Sequence, residues 1–153
     1  MQHKTYNQEY FETANYRNYN GFLYSAYLKT RFFFLGLFYK YFIGARTIVD
    51  VGCANGRSVW VFRKLLGLEA YGIDVSEYAI SKAPKSIRDY LFNGSITNLE
   101  ALPFKKFDLV VSYDTLEHVD EKELKVFFSK LRKYTDKGIM GIYVLDEGVA
   151  RIH

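Results

Sequence analysis

Val49-Asp50-Val51-Gly52-Cys53-Ala54-Asn55-Gly56-Arg57-Ser58 sets a carboxylate, two glycines and the start of a helical pattern side by side. Asp50 can accept hydrogen bonds from a ligand's amino group, directly or through water. Gly52 and Gly56 permit backbone angles and a close approach that a Cβ would obstruct. A helix starting near Arg57 adds N–H groups without intrahelical partners, which favour a carboxylate. A glycine turn of purely structural use is the plainer alternative. The dinucleotide fingerprint G-x-G-x-x-G is not met, because Ala54 stands at its second glycine and Arg57 precedes the place of the third. That weakens a nicotinamide-dependent oxidoreductase reading. Downstream, Tyr71-Gly72-Ile73-Asp74 ends a second apolar run in an acid. An acid at a strand end can take both hydroxyls of a ribose, as in adenosine-binding sheets. Alone, Asp74 would read as a helix N-terminal residue; beside the glycine turn it reads as a ribose ligand.

These residues need a scaffold that brings strand ends together. Short β-branched runs alternate with amphipathic stretches after Gly44. Strands are expected at Thr47–Val51, Ala70–Ile73, Tyr90–Phe92, Phe107–Ser112 and Gly138–Leu145. Helices fit at Arg57–Leu66, Glu77–Lys85 and Glu121–Tyr134, after a long aromatic helix at Phe22–Phe42. This order predicts an α/β fold with a mostly parallel, doubly wound, Rossmann-like sheet. Thr47–Val51 and Asp108–Val111 are nearly all apolar before they turn polar, as central strands buried on both faces are. Ligands in such sheets sit beyond the carboxyl ends of the strands. There the sequence gathers Asp50, Gly52, Asp74, Asn93-Gly94-Ser95 and Ser112-Tyr113-Asp114.

The 153 residues suit one domain, divided into an aromatic cover segment (1–43) and a ligand-binding core (44–153). With 49% hydrophobic and 25% charged residues, a folded protein is expected. The net charge of +4 is spread without a basic run, so a nucleic-acid partner is not expected. Cys53 is the single cysteine, which excludes an intrachain disulfide and a multi-cysteine metal site and suits a cytoplasmic protein. No metal is expected. The apolar run Phe32–Phe38 falls far short of the ~20 residues of a membrane span. The aromatic helix has three readings: a helix packed on the domain with a lid at its start, a partner surface, or a membrane-surface helix. In the first, Tyr6 or Tyr10 would make a cation–π contact with a bound cation.

Four stretches in order, Asp50-Val-Gly-Cys-Ala-Asn-Gly56, Gly72-Ile-Asp-Val-Ser-Glu-Tyr-Ala-Ile80, Leu102-Pro-Phe-Lys-Lys-Phe-Asp-Leu-Val-Val-Ser112 and Asp114-Thr-Leu-Glu-His-Val119, resemble the successive motifs of class I, S-adenosylmethionine-dependent methyltransferases. The likeness is to the group that methylates small molecules and sugars, and it covers Thr47 to Leu145. The segment Tyr6–Phe11 is similar to the cover that often precedes this core. The resemblance implies S-adenosyl-L-methionine as cofactor and S-adenosyl-L-homocysteine as product. Asp50, Gly52, Cys53, Ala54 and Gly56 would surround its methionine part, and Asp74 would hold the ribose. Val75 would pack on the adenine, with Ser95 and Ile96 beside it. Ser95 stands where the family usually carries an acid. Tyr113 would border the methyl-transfer space. Cys53 matches a residue that acts through its backbone, so it is not a nucleophile.

In-line transfer of a sulfonium methyl needs positioning and exclusion of water. A base is needed only when the acceptor must lose a proton, and His118 is the catalytic candidate. The alternative is that His118 only packs near the cofactor. The family core continues past Leu145 with a helix and an antiparallel strand pair, whereas only Asp146 to His153 follow here. The expectation is therefore a core lacking the last strands: either the chain is a fragment of a longer enzyme, or a homodimer mate or a partner chain covers the exposed edge. The functional expectation is a methyltransferase acting on a small-molecule or sugar-like acceptor. The rival is an inactive cofactor-binding scaffold that works through a partner protein.

Overall fold

Five strands, β1 (Thr47–Val51), β2 (Glu69–Asp74), β3 (Leu91–Asn93), β4 (Leu109–Tyr113) and β5 (Gly138–Gly141), pair in parallel in the computed structural model, which describes residues 21–103 and 106–141. Their order across the sheet is β3-β2-β1-β4-β5. The order reverses between β1 and β4, so the crevice for a ligand opens at the carboxyl ends of those two strands. The helices are α1 (Phe22–Phe38), α2 (Arg57–Trp60), α3 (Glu77–Ser81) and α4 (Glu121–Tyr134).

The two-residue period of the strands sorts their side chains into two cores. Ile48, Leu109, Val111 and Tyr113 join Leu28, Phe32, Tyr39 and Phe62 on the face covered by α1 and α2. Val49, Val51, Ile73 and Val110 join Phe127 and Tyr134 of α4 on the other face. Helices thus lie on both faces, and β1 and β4 are the buried central strands that their apolar runs predict. α4 keeps its predicted bounds, because Asp120 accepts the Lys122 N–H as a cap and the charges complement the helix dipole.

Element ends depart from expectation where local chemistry intervenes. The expected helix Phe22–Phe42 is α-helical only to Phe38; it widens into a π turn over Tyr39–Ile43 and stops at Gly44, with φ +74°. The helix expected over Arg57–Leu66 widens the same way after Trp60. Pro84 follows the end of α3, and a 3₁₀ turn over Lys85–Tyr90 delays β3 to Leu91. Strand β4 starts at Leu109 rather than Phe107. Phe107 donates its N–H to Tyr134, and the Asp108 carboxylate accepts the Arg46 and Thr47 N–H groups at 2.8 and 2.9 Å. That capping holds the Asp108 carboxyl below its usual range. Residues 142–145 of the last expected strand, and the cover motif with Tyr6 and Tyr10, lie outside the described residues.

α1 seats on α2 and the turn that follows it through a glycine. A Cβ at Gly36 would run into Leu66 and come within 2.9 Å of Phe62. On the far side of α1 and the π turn that follows it, Leu23, Tyr27, Phe34 and Tyr41 are exposed. Its cations turn back toward the domain: Lys29 lies 4.9 Å from the Trp60 ring, and Lys40 donates to the Leu66 carbonyl at 2.7 Å. Among the described residues, no helix is long and apolar enough to cross a membrane.

Candidate functional site

The turn after β1 is built by side chains from three other segments. Gly52 (φ +84°) and Cys53 both direct their N–H groups to the Ile73 carbonyl of β2, at 2.8 and 3.2 Å. A Cβ on Gly52 would collide with Thr115, whose hydroxyl donates to the Tyr113 carbonyl at 2.9 Å. Gly56 (φ +72°) turns the chain into α2, and a Cβ there would come within 2.8 Å of Ile87 and Leu91. Ala54 is held at φ +48°, a left-handed conformation that costs a non-glycine residue about 1–2 kcal/mol. Its N–H donates to Asp74 Oδ2 at 2.8 Å, which offsets part of that cost.

Asp74 therefore does more than end β2. One oxygen takes the Ala54 N–H, and the other takes the Ser76 N–H at 2.8 Å. Each carboxylate oxygen has a second lone pair for a ligand hydroxyl. Burial raises its pKa and the two backbone donors lower it. Asn93, at the end of β3, donates its amide to the Asp74 and Val75 carbonyls at 3.1 Å and so fixes the loop that carries Val75. Val75 is 50% exposed at the mouth of the crevice, an apolar surface open to a planar ligand.

Asp50 is buried on β1. Its Oδ2 accepts the Ser58 hydroxyl of α2, while Oδ1 is buried with no hydrogen-bond partner among the described residues. Burial pushes its carboxyl up to about 7, against the Ser58 hydrogen bond, and the nearby charges of Asp74 and Asp114 push the same way. Three carboxylates thus converge on one crevice, which suits a cationic ligand. A buried acceptor without a donor is costly unless something supplies one.

Other expected residues take different positions. Cys53 is buried, with its thiol against Gly72, where a Cβ would meet Sγ at 2.5 Å. Burial raises the thiol pKa well above normal, so the group is inert and only its backbone faces the turn. Ser95 accepts the Thr97 N–H at 3.2 Å and pairs with the Thr97 hydroxyl at 3.0 Å, closing its own turn. Ile96 is 6% exposed and packs in the α4-side core. Tyr113 ends β4 beside the crevice, its hydroxyl 2.7 Å from that of Tyr39 and its ring 5.2 Å from Phe32. His118 ends a short 3₁₀ turn after β4 with its side chain exposed. Among the described residues, no group of three or more His, Cys, Asp and Glu is placed to hold a metal ion.

The sequence assigns no role to Ser58, Thr115, Tyr39 or Arg31, and it marks Asn93 only by its place at a strand end. Ser58 stands within the glycine motif, two residues past Gly56, where its hydroxyl points back at β1. Arg31 comes from α1, paired with Asp114 at 3.4 Å and lying 5.7 Å from the Tyr113 ring. Only the folded chain brings Arg31 and Tyr39 to the crevice, because nothing in the order of the sequence links them to β4.

The model of the methyltransferase-domain family matches residues 48–138, more than half of the chain. Among solved structures, a SAM-dependent methyltransferase from Archaeoglobus fulgidus is 26% identical, with a TM-score of 0.57, over 72% of this chain and 48% of that one. A protein from Pyrococcus horikoshii OT3 is 25% identical, with a TM-score of 0.68, over 92% of this chain and 64% of that one. Magnesium protoporphyrin IX methyltransferase from Synechocystis PCC 6803, with bound SAM, shares the fold at 17% identity and a TM-score of 0.63, over 86% of this chain and 72% of that one. The chain spans between about half and two-thirds of the length of the first two. No curated protein matches it.

Proposed function

The chain belongs to the class I, S-adenosylmethionine-dependent methyltransferases, and we propose that its crevice binds S-adenosyl-L-methionine and hands the methyl group in line to a small-molecule or sugar-like acceptor. The observation that carries this reading is Asp50. A buried, unpartnered carboxylate oxygen beside a glycine turn asks for a cationic donor, and the ammonium of the cofactor's amino-acid end is one. The cradle fits as well, since a Cβ at Gly52 or Gly56 would fill or reshape the turn.

When bound, the cofactor supplies a methyl group already activated on its sulfonium. The chain's own part is to bind, orient and dry the site. Asp50, fixed by Ser58, takes the ammonium. The backbone of Gly52, Cys53, Ala54 and Gly56 surrounds the methionine part. Asp74 would accept from the ribose hydroxyls with the lone pairs left by Ala54 and Ser76, while Val75 would pack on the adenine, with Ser95 and Ile96 beside it. Tyr113 borders the transfer space. His118 is the group available to remove a proton from an acceptor, and no metal is needed for that step. The product would be S-adenosyl-L-homocysteine.

A second reading rests on the apolar outer face of α1 and the π turn that follows it, where Phe34 and Phe42 are 65% and 82% exposed. In it the chain is a cofactor-binding subunit, paired with itself or with a partner protein. A stable monomer that methylates an acceptor removes this alternative.

The test is calorimetric titration with S-adenosyl-L-methionine, with NAD as control. Micromolar binding of the first alone is expected. Asp74→Ala should weaken it by about 2–4 kcal/mol, two charge-assisted contacts. Unchanged affinity in the folded variant would remove Asp74 from the site.

A further inference from the structure

Tyr39 lies outside residues 48–138, the part of the chain that the family model matches, yet it reaches the crevice. It is 1% exposed, and its hydroxyl sits 2.7 Å from that of Tyr113, which is 8% exposed. Two phenols carry two protons, and the bond between them uses one. Neither hydroxyl has a further hydrogen-bond partner among the described residues, so one O–H is left to point elsewhere. It does not go to Asp50 Oδ1, which receives no hydrogen bond.

These groups share a face of the sheet. Asp50 pairs in register with Val111, and Tyr113 is the next residue of β4 on that face. Their proximity shows in the phenols, since burial raises both and the charge of Asp50 adds to it. A buried acceptor and a buried donor, left over side by side, describe a ligand with a donor and an acceptor on one carbon. That is the zwitterionic end of an amino acid.

We infer that the Tyr113 hydroxyl donates to the carboxylate of the cofactor's amino-acid end, and that Tyr39 is the positioning residue that donates to Tyr113 and aims it. The assignment rests on the cofactor reading above. It follows the exposure order: Tyr113 ends a strand at the crevice, while Tyr39 is enclosed behind it by Phe62, with ring centres 5.9 Å apart. It also makes the π turn that follows α1 part of the cofactor site rather than only its cover.

Two ligands separate the effect from general damage. S-adenosyl-L-homocysteine has the amino-acid end, and 5′-methylthioadenosine is an adenosyl thioether without it. Tyr113→Phe should weaken binding of the first by about 10- to 100-fold, one hydrogen bond to a charged group. Tyr39→Phe should weaken it about 3- to 10-fold, and the double variant should be no worse than Tyr113→Phe alone. Binding of 5′-methylthioadenosine should stay within about twofold throughout, with thermal midpoints confirming the fold. Equal losses for both ligands, additive losses in the double variant, or no loss in Tyr113→Phe would each overturn the inference. Wild-type protein that binds neither ligand would overturn the cofactor reading itself.

Discussion

Asp50 joins function to a cost in stability. Its carboxyl is raised by burial from 3.8 to about 7, so between those values the folded chain keeps a proton that the unfolded chain has lost. Stability attributable to this group therefore falls as pH climbs through that window and levels off above it. The full rise corresponds to about 4 kcal/mol, an upper figure for one buried charge. Asp50→Asn has no charge to bury. It should raise the thermal midpoint at pH 8, raise it by less than half as much at pH 5, where only the lower part of that window has been crossed, and weaken cofactor binding at both. A midpoint lowered equally at pH 8 and pH 5 would mean that the carboxylate is not carrying this cost. Asp50 stood out in the sequence because it is an acid in an apolar strand just before a glycine turn. Its Ser58 partner did not, since a serine in a helical stretch reads as ordinary. The local pairing of Ser95 was equally unmarked: its hydroxyl accepts the Thr97 N–H two residues on.

The elements were legible where a period of two or 3.6 residues was strong, and their ends were not. β1 and β4 read as central because both faces of each are apolar, and α4 because its caps and charges agree with its pattern. α1 was harder, being apolar nearly all round, so its buried side was not marked in the sequence. The mark is Gly36, where the helix approaches Phe62 and Leu66. This contact yields a prediction. Alanine is the better helix former by about 1 kcal/mol. Against that, a new Cβ within 2.9 Å of Phe62 meets a fully buried ring wedged between Phe32 and Tyr39, and overpacking of this kind costs about 1–3 kcal/mol. The clash should win. Gly36→Ala should lower the thermal midpoint by a few degrees, and Gly36→Leu should lower it further. A higher midpoint for Gly36→Ala would show that α1 is not seated on α2 at this contact.

Across the whole molecule, the crevice is tied into both cores rather than carried on a detachable loop. Gly52 and Cys53 bond to β2, Ala54 to the Asp74 side chain, and the Ser112 hydroxyl of β4 to the Val51 carbonyl of β1 at 2.8 Å. The turn therefore cannot open without loosening three strands, and a ligand that holds the turn should stabilise the entire fold. The size follows from mass action. Cofactor at 100 times its dissociation constant adds about 2.7 kcal/mol to unfolding. For a domain of this size each kcal/mol moves the midpoint by about 2–4 °C. S-adenosyl-L-methionine at that excess should thus raise the midpoint by about 5–10 °C, and NAD at the same concentration should not move it. Hydrogen exchange read alongside should slow in β1, β2 and β4 together. Protection confined to residues 52–56 with an unmoved midpoint would mean that the turn opens locally, independent of the sheet. The network of bonds across β1, β2 and β4 argues for the global response, because each of its acceptors lies in β1, a strand buried on both faces, or in β2, which pairs with it.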